Sequence, residues 1–287
     1  MSPAASPPEA LGDALRRRLF DVTGLRTVVT GAASGLGYAM AEAMALSGAH
    51  VILVDRNAEG LRAAQDRLAQ QGGSVEAEVV DVADQAAVEA LFERLRERHG
   101  GVEVVFANAG IGARPNILHP DGGLDRLALD TWHRVMDINL HGAFYTMRGA
   151  AALMKPKRRG AIVVTASTAG LRPEPKVSYA YVTAKAALVN LVRQAALELA
   201  PWGIRVNAIA PGPFHTNIGG PGPRPPEDEA AWIRTIPLGR FGEPPEIQGL
   251  ALFLASPASS FVTGAVYPID GGASALTQVT ADSLGPG

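Results

Sequence analysis

The sequence predicts one doubly wound α/β domain built on a parallel sheet of seven strands, and three observations carry that prediction. Short β-branched runs alternate with longer segments of helical period, the pattern of repeated βαβ units. Most of these runs are apolar at consecutive positions, as strands are when helices cover both faces of a sheet. No linker, internal repeat or charge block divides the 287 residues, a length that one large domain accommodates.

The strand candidates are 26–30, 51–54, 75–80, 102–106, 161–165, 205–209 and 265–268. The helix candidates between them are 37–48, 58–71, 84–99, 130–154, 179–202 and 245–255. Six crossovers linking seven strands describe a doubly wound sheet. Residues 1–20 read as an N-terminal extension, partly disordered, in which Leu11, Leu15 and Leu19 allow a short amphipathic helix. Its three arginines, Arg16, Arg17 and Arg18, follow the Pro- and Ala-rich start, the wrong order for a secretory signal. The domain itself occupies 21–273 and a tail runs over 274–287. Residues 211–237 stand apart, rich in Pro and Gly without strong periodicity, and read as a substrate lid.

Bulk composition removes several classes of function. With 19% charged residues and a net charge of −2, the chain offers no basic face for nucleic acid or an anionic membrane. No apolar run approaches the ~20 residues that span a bilayer. The absence of cysteine removes disulfides, thiolate metal sites and thiol nucleophiles, and fits a reducing, cytoplasmic setting.

The first strand runs straight into Thr30-Gly31-Ala32-Ala33-Ser34-Gly35-Leu36-Gly37, and a helix follows. That is the context of a dinucleotide-binding turn in a Rossmann-type sheet. Gly31 permits the sharp turn, and Gly35 and Gly37 let backbone approach a pyrophosphate and the helix pack close. The N–H groups around Ser34, Gly35, Leu36 and Gly37 then face the phosphates at the positive end of the helix. Asp55 ends the second strand, 24 residues after Gly31, where an acid grips ribose hydroxyls. A carboxylate there repels a 2′-phosphate, which predicts NAD over NADP. Arg56 keeps NADP open, because a guanidinium binds phosphate well. Asp81 and Val82 end the third strand and Asn108 ends the fourth, both at the carboxyl edge where ligands collect. Asp81 suits an adenine amine or a helix cap, and Asn108 either a neighbouring strand or the ribose.

Tyr181 and Lys185 lie four apart on a predicted helix, so their side chains share one face. A phenol with a pKa of ~10 is a poor base at neutral pH. An ammonium about 4 Å away contributes roughly 4 kcal/mol at an effective dielectric of 20, nearly three pKa units. That brings a tyrosine toward the range useful for proton transfer. Tyr179 is a weaker candidate, since its fourth neighbour onward is Thr183. After the sixth strand, Gly212 and Thr216 are positioned to meet a nicotinamide carboxamide, with Phe214 and His215 bordering the site. His215 stands as a candidate acid or as an ordinary loop histidine. Residues 111–127, with Asn116, His119 and Asp121, form a polar opposite wall.

Taken in order, TGAASGLG at 30–37, Asp81-Val82, NAG at 108–110, Asn139, Ser167, YVTAK at 181–185, PGPFHT at 211–216 and VTGAVYPIDGG at 262–272 resemble the short-chain dehydrogenase/reductase family. The resemblance covers about residues 20–273. It implies NAD(P)-linked alcohol or carbonyl chemistry on a small-molecule substrate. It also implies that Tyr181, Lys185, Ser167 and Asn139 form the catalytic set. Ser167 lies three residues before Gly170, as in the family, but its interval to Tyr181 leaves Thr168 as an alternative. Asn139 is implied to hold a backbone kink and a water linked to Lys185. Family members pair their long helices, which implies a homo-oligomer, with a tetramer favoured. Three functional readings follow: an NAD-dependent secondary alcohol or polyol dehydrogenase, an NADPH-dependent 3-oxoacyl-carrier-protein ketoreductase, and a non-catalytic nucleotide-binding scaffold.

Overall fold

A computed structural model of the chain describes residues 8–219 and 226–276. The strands are β1 (Arg26–Thr30), β2 (His50–Asp55), β3 (Ser74–Val79), β4 (Val104–Ala107), β5 (Gly160–Thr165), β6 (Ile204–Pro211) and β7 (Val266–Ile269). All seven pair in parallel, in the order β3-β2-β1-β4-β5-β6-β7. The doubly wound Rossmann-type sheet is therefore present. Its order reverses between β1 and β4, which opens a crevice at their carboxyl ends.

The helices are α1 (Pro8–Phe20), α2 (Gly35–Leu46), α3 (Ala58–Gln70), α4 (Gln85–His99), α5 (Leu129–Met136), α6 (Gly142–Met154), α7 (Tyr179–Leu199), α8 (Pro226–Ile233) and α9 (Gln248–Ala255). Strand alternation divides the core into two layers. From β1, Val28 enters one layer and Val29 the other; from β4, Val105 joins Val28 while Phe106 joins Val29. The Val28 layer packs on α4, α6 and α7, and the Val29 layer on α2, α3 and α9. Both faces are covered, which is why the strands read as unbroken apolar runs.

Local chemistry sets the helix starts. Asn57 caps α3 by accepting from Gly60 N, and Asp84 caps α4 by accepting from Ala87 N. Gly100 closes α4 in the left-handed conformation, at φ 66°. The single helix expected over 130–154 is interrupted. Residues Asp137–His141 form a π-turn between α5 and α6, with Gly142 N donating to Asp137 O. Most of the N-terminal extension is helix α1, and residues 1–7 of that extension lie outside the described residues. The expected lid contains a short turn at Asn217–Gly219 and helix α8, while 220–225 lie outside the described residues. Where the expected tail begins, Ala273–Ala275 form one 3₁₀ turn that spans its boundary with the domain, and 277–287 lie outside the described residues.

Candidate active site

The glycine-rich turn joins β1 to α2. Gly31 has φ 70°, and a Cβ there would stand 2.9 Å from Ala109 Cα. A Cβ on Gly37 would lie 2.0 Å from Gly31 O, so the helix reaches the turn only without a side chain. Gly35 faces Thr216, whose Cγ2 would be 3.4 Å from an added Cβ. The 30–37 turn and the 211–216 loop therefore meet across the crevice. Ser34 occupies the N-cap of α2 but its side chain makes no capping hydrogen bond. The first-turn amides at Gly35, Leu36 and Gly37 are thus left without a side-chain cap, as an anion-binding helix start requires. These residues fit a dinucleotide.

Asp55 holds the other side of the turn, with Oδ2 accepting from Ala33 N and Oδ1 from Asn57 N. Arg56 Nη1 lies 3.8 Å from Asp81 Oδ2, and Asp81 Oδ1 accepts from Ala83 N. Arg56 and Asp81 share a cavity of ≈ 380 Å³ with Asp130, His133, Arg134 and Ile138. Val82 is buried next to it, against Gly142 of the π-turn region. Asn108 braces the sheet: its Nδ2 donates to Thr30 O, and its Oδ1 accepts from Thr165 Oγ1. Thr30 Oγ1 in turn accepts from both Asn108 N and Ala109 N. Thr30 and Thr165 were not among the expected site residues. Their signal was position, since each is the last residue of a strand that enters the crevice.

Tyr181, Lys185, Ser167 and Asn139 come together beneath this crevice. Ser178 caps α7 by accepting from Tyr181 N, which fixes the first turn carrying the phenol. Burial pushes the Tyr181 phenol up, and the hydrogen bond from Ser167 pulls it down. Ser167 Oγ and Thr168 Oγ1 both lie 3.4 Å from Pro211 O, and only Ser167 acts on the phenol. Lys185 is 2% exposed, and burial lowers its ammonium to about 8. Its Nζ donates to Thr165 O at 2.7 Å and lies 5.7 Å from the centroid of the Tyr181 ring. Burial is thus the largest influence on the phenol, ahead of any nearby group. The amine is held by a carbonyl, and the Ser167 hydrogen bond offsets part of the rise that burial imposes on Tyr181.

Asn139 is fully buried in the π-turn. Its Oδ1 accepts from Ile111 N at 2.8 Å and its Nδ2 donates to Ile111 O at 2.9 Å. The side chain acts as a backbone surrogate that pins the loop after NAG. Gly110 sits between Asn139 and Lys185, and a Cβ there would be 3.3 Å from Asn139 Oδ1 and 3.6 Å from Lys185 Nζ.

The two walls also meet, since Gly112 N donates to Ile218 O. Gly212 lies too close to Asp270 for a side chain, and its N–H donates to Ile269 O. Phe214 is buried against Gly242. His215 is flanked by carboxylates, with Glu243 3.1 Å from Nδ1 and Glu229 of α8 3.3 Å from Nε2. It tethers α8 to the loop, a role its sequence context did not show.

Fold and site together define a dinucleotide-dependent oxidoreductase, and the comparisons agree. Residues 31–274 match the enoyl-(acyl carrier protein) reductase family model. The chain is similar to galactitol 2-dehydrogenase (L-tagatose-forming) of Cereibacter sphaeroides, 39% identical over 89% of this chain and 97% of that protein. Among solved structures it is similar to a gluconate 5-dehydrogenase from Burkholderia cenocepacia J2315 in complex with NADP and tartrate (TM-score 0.82, 31% identity, 91% and 100% of the two chains). A 3-oxoacyl-[acyl-carrier protein] reductase with bound NAD from Brucella melitensis is similar as well (TM-score 0.79, 34% identity, 95% and 97%). The chain belongs to the short-chain dehydrogenase/reductase family. It is an enzyme of the alcohol dehydrogenase/ketoreductase kind that works with a nicotinamide cofactor. Among the described residues no helix is long and apolar enough to cross a membrane.

Proposed function

We propose that the protein is an NAD(H)-dependent dehydrogenase that interconverts a secondary alcohol or polyol and its ketone, with Tyr181 as the acid/base. The observation that carries this reading is the Tyr181 ring standing 5.7 Å from Nζ of the buried Lys185, one helical turn further on. The dinucleotide would be held by Gly31, Ser34, Gly35, Leu36, Gly37, Asp55, Arg56, Asp81, Val82, Asn108, Tyr181, Lys185, Gly212, Phe214 and Thr216. When bound, the nicotinamide takes up or delivers the hydride and, oxidised, brings a positive ring charge to the site. Ser167 hydrogen-bonds the substrate oxygen, where negative charge develops. Tyr181 Oη takes the alcohol proton in oxidation and returns it in reduction. Lys185 supports that proton exchange from below, and Asn139 keeps the Ile111 loop in place.

Asp55 supports NAD, since its carboxylate is oriented by two backbone donors at the end of β2. One observation favours the NADPH-dependent ketoreductase reading: Arg56 and Arg134 border the same cavity as Asp81. Fluorescence titration with NADH and NADPH separates the two, and NADH is expected to bind more tightly. A panel of secondary alcohols, polyols and hydroxy acids then identifies the substrate class. Tyr181→Phe is expected to lower turnover about a thousandfold without lowering the melting temperature. Full turnover in that variant removes the mechanism. We further infer a cytoplasmic homotetramer: exposed Phe144 on α6 and Leu197 on α7 supply apolar surface for helix pairing. Light scattering tests the assembly.

A further inference from the structure

The amino-terminal edge of the sheet carries a group of side chains that the reaction does not use. His50 opens β2 and stands in register with Ser74 at the start of β3. Glu76 follows Ser74 by two positions, so strand alternation puts both on the same face. The last turn of α4 covers that face and ends at His99. His99 Nε2 lies 2.7 Å from Glu76 Oε1, and His50 Nε2 lies 4.0 Å from the same oxygen. All three donor atoms fall within 4.8 Å of one another.

The state of His50 gives this group its meaning. Its Nδ1 is 2.8 Å from Ser74 Oγ, a contact that fixes the ring through that nitrogen and leaves Nε2 aimed at Glu76. That Nε2 is sealed from solvent and has no hydrogen-bond partner. A buried ring nitrogen left unpartnered beside a carboxylate and a second imidazole is costly, and a cation bound there removes that cost.

We propose that His50, Glu76 and His99 form a binding site for a divalent transition cation of the zinc kind, at the opposite end of the sheet from Tyr181. Two imidazoles and one carboxylate are a donor set that zinc takes, with a fourth position left for water. Tetrahedral donors about 2.0–2.1 Å from zinc stand roughly 3.4 Å apart, between the 2.7 and 4.0 Å that separate Glu76 Oε1 from the two imidazoles. Ser74 orients His50 from behind, as a partner of a ligating histidine does. Arg98 lies 3.5 Å from Glu76 Oε2, the other carboxylate oxygen, and also pairs with Glu78, which Arg94 holds as well. Oε1 thus remains for the cation.

The test uses the full-length, tag-free chain stripped with EDTA. Calorimetric titration with zinc chloride is expected to show one ion per chain and a raised melting temperature. Cobalt(II) is expected to give visible d–d absorption that zinc abolishes. His50→Gln and Glu76→Gln are expected to weaken zinc binding about a hundredfold while turnover stays at the wild-type level. Binding of equal strength in both variants places the ion elsewhere and overturns the proposal. Should either variant fail to fold, the wild-type cobalt spectrum decides, and its absence overturns the site.

Discussion

Lys185 places a cation in a pocket that is 2% exposed, with Thr165 O as the acceptor its ammonium is given. Burial lowers the ammonium from 10.5 to about 8, a difference worth about 3 kcal/mol. The sign follows from proton counting. Between pH 8 and 10.5 the unfolded chain keeps a proton that the folded chain has lost, so wild-type stability rises across that window. Below pH 8 the whole cost is borne by the fold. Lys185→Met removes this cost and forfeits one hydrogen bond worth about 1 kcal/mol. The variant is therefore expected to be about 2 kcal/mol more stable at pH 7 in urea titrations, with the gain fading above pH 8, and to lose nearly all turnover. A variant less stable than wild type at pH 7 contradicts the burial argument. Tyr181 supplies the companion test. Burial keeps its phenol largely protonated at neutral pH, so alcohol oxidation is expected to accelerate about tenfold per pH unit there. A flat profile assigns the base elsewhere.

At the scale of elements, the π-turn links the sheet to the site. Five residues, Asp137–His141, break what the sequence presents as one long helix. Nothing in the hydrophobic period marks the break, because α5 and α6 each keep their own apolar face across it. What the turn achieves is to aim Asn139 inward at both backbone groups of Ile111. Asn139→Ala leaves that N–H and that carbonyl unpaired in the interior. The expected loss is about 2 kcal/mol of stability, with a reduced turnover as the loop after NAG loosens. Denaturant melts and steady-state kinetics on the same sample check it. The glycine turn was readable because Gly37 tolerates no side chain against Gly31 O. The Tyr181–Lys185 pair was readable because helical spacing fixes its face. The same spacing did not reveal that Lys185 would turn to Thr165 O, since that depends on β5 passing beneath α7. Helix α8 did leave a signal, with Pro226 at its first position and Glu227, Asp228 and Glu229 in its first turn. It was obscured by the Pro- and Gly-rich segment around it.

Across the whole molecule the two ends of the sheet divide the labour. The carboxyl ends gather Ser167, Asn108 and the glycine turn, while the amino ends carry the densest set of ion pairs. Glu103, beside the start of β4, is at the centre of that set. Its carboxylate is 6% exposed and binds the Arg26 guanidinium, with Lys157 and Arg159 at 3.6 and 3.4 Å. Arg26 N also donates to it, so one carboxylate ties β1 to β4 across 77 residues of sequence. No local pattern announces such a contact, because the parallel crossover that creates it is set by the whole topology. Burial alone would raise the Glu103 carboxyl, but the hydrogen bonds from Arg26 overcome it and hold it below its ordinary 4.5. A depressed carboxylate contributes stability that is complete above the unfolded value and is lost as the pH falls through the folded one. Glu103→Gln keeps the shape and removes the charge, leaving Arg26 with a weaker partner. It is expected to cost about 2 kcal/mol at pH 7, within the range for losing hydrogen bonds to a charged group. Urea melts of the two proteins should converge as the pH drops below 4.5, where the wild type protonates the same group. Turnover should stay at the wild-type level, since the lesion lies at the far end of the strands from Tyr181. A gap in stability that persists unchanged into acid would mean that the packing of the side chain, not its charge, joins β1 to β4.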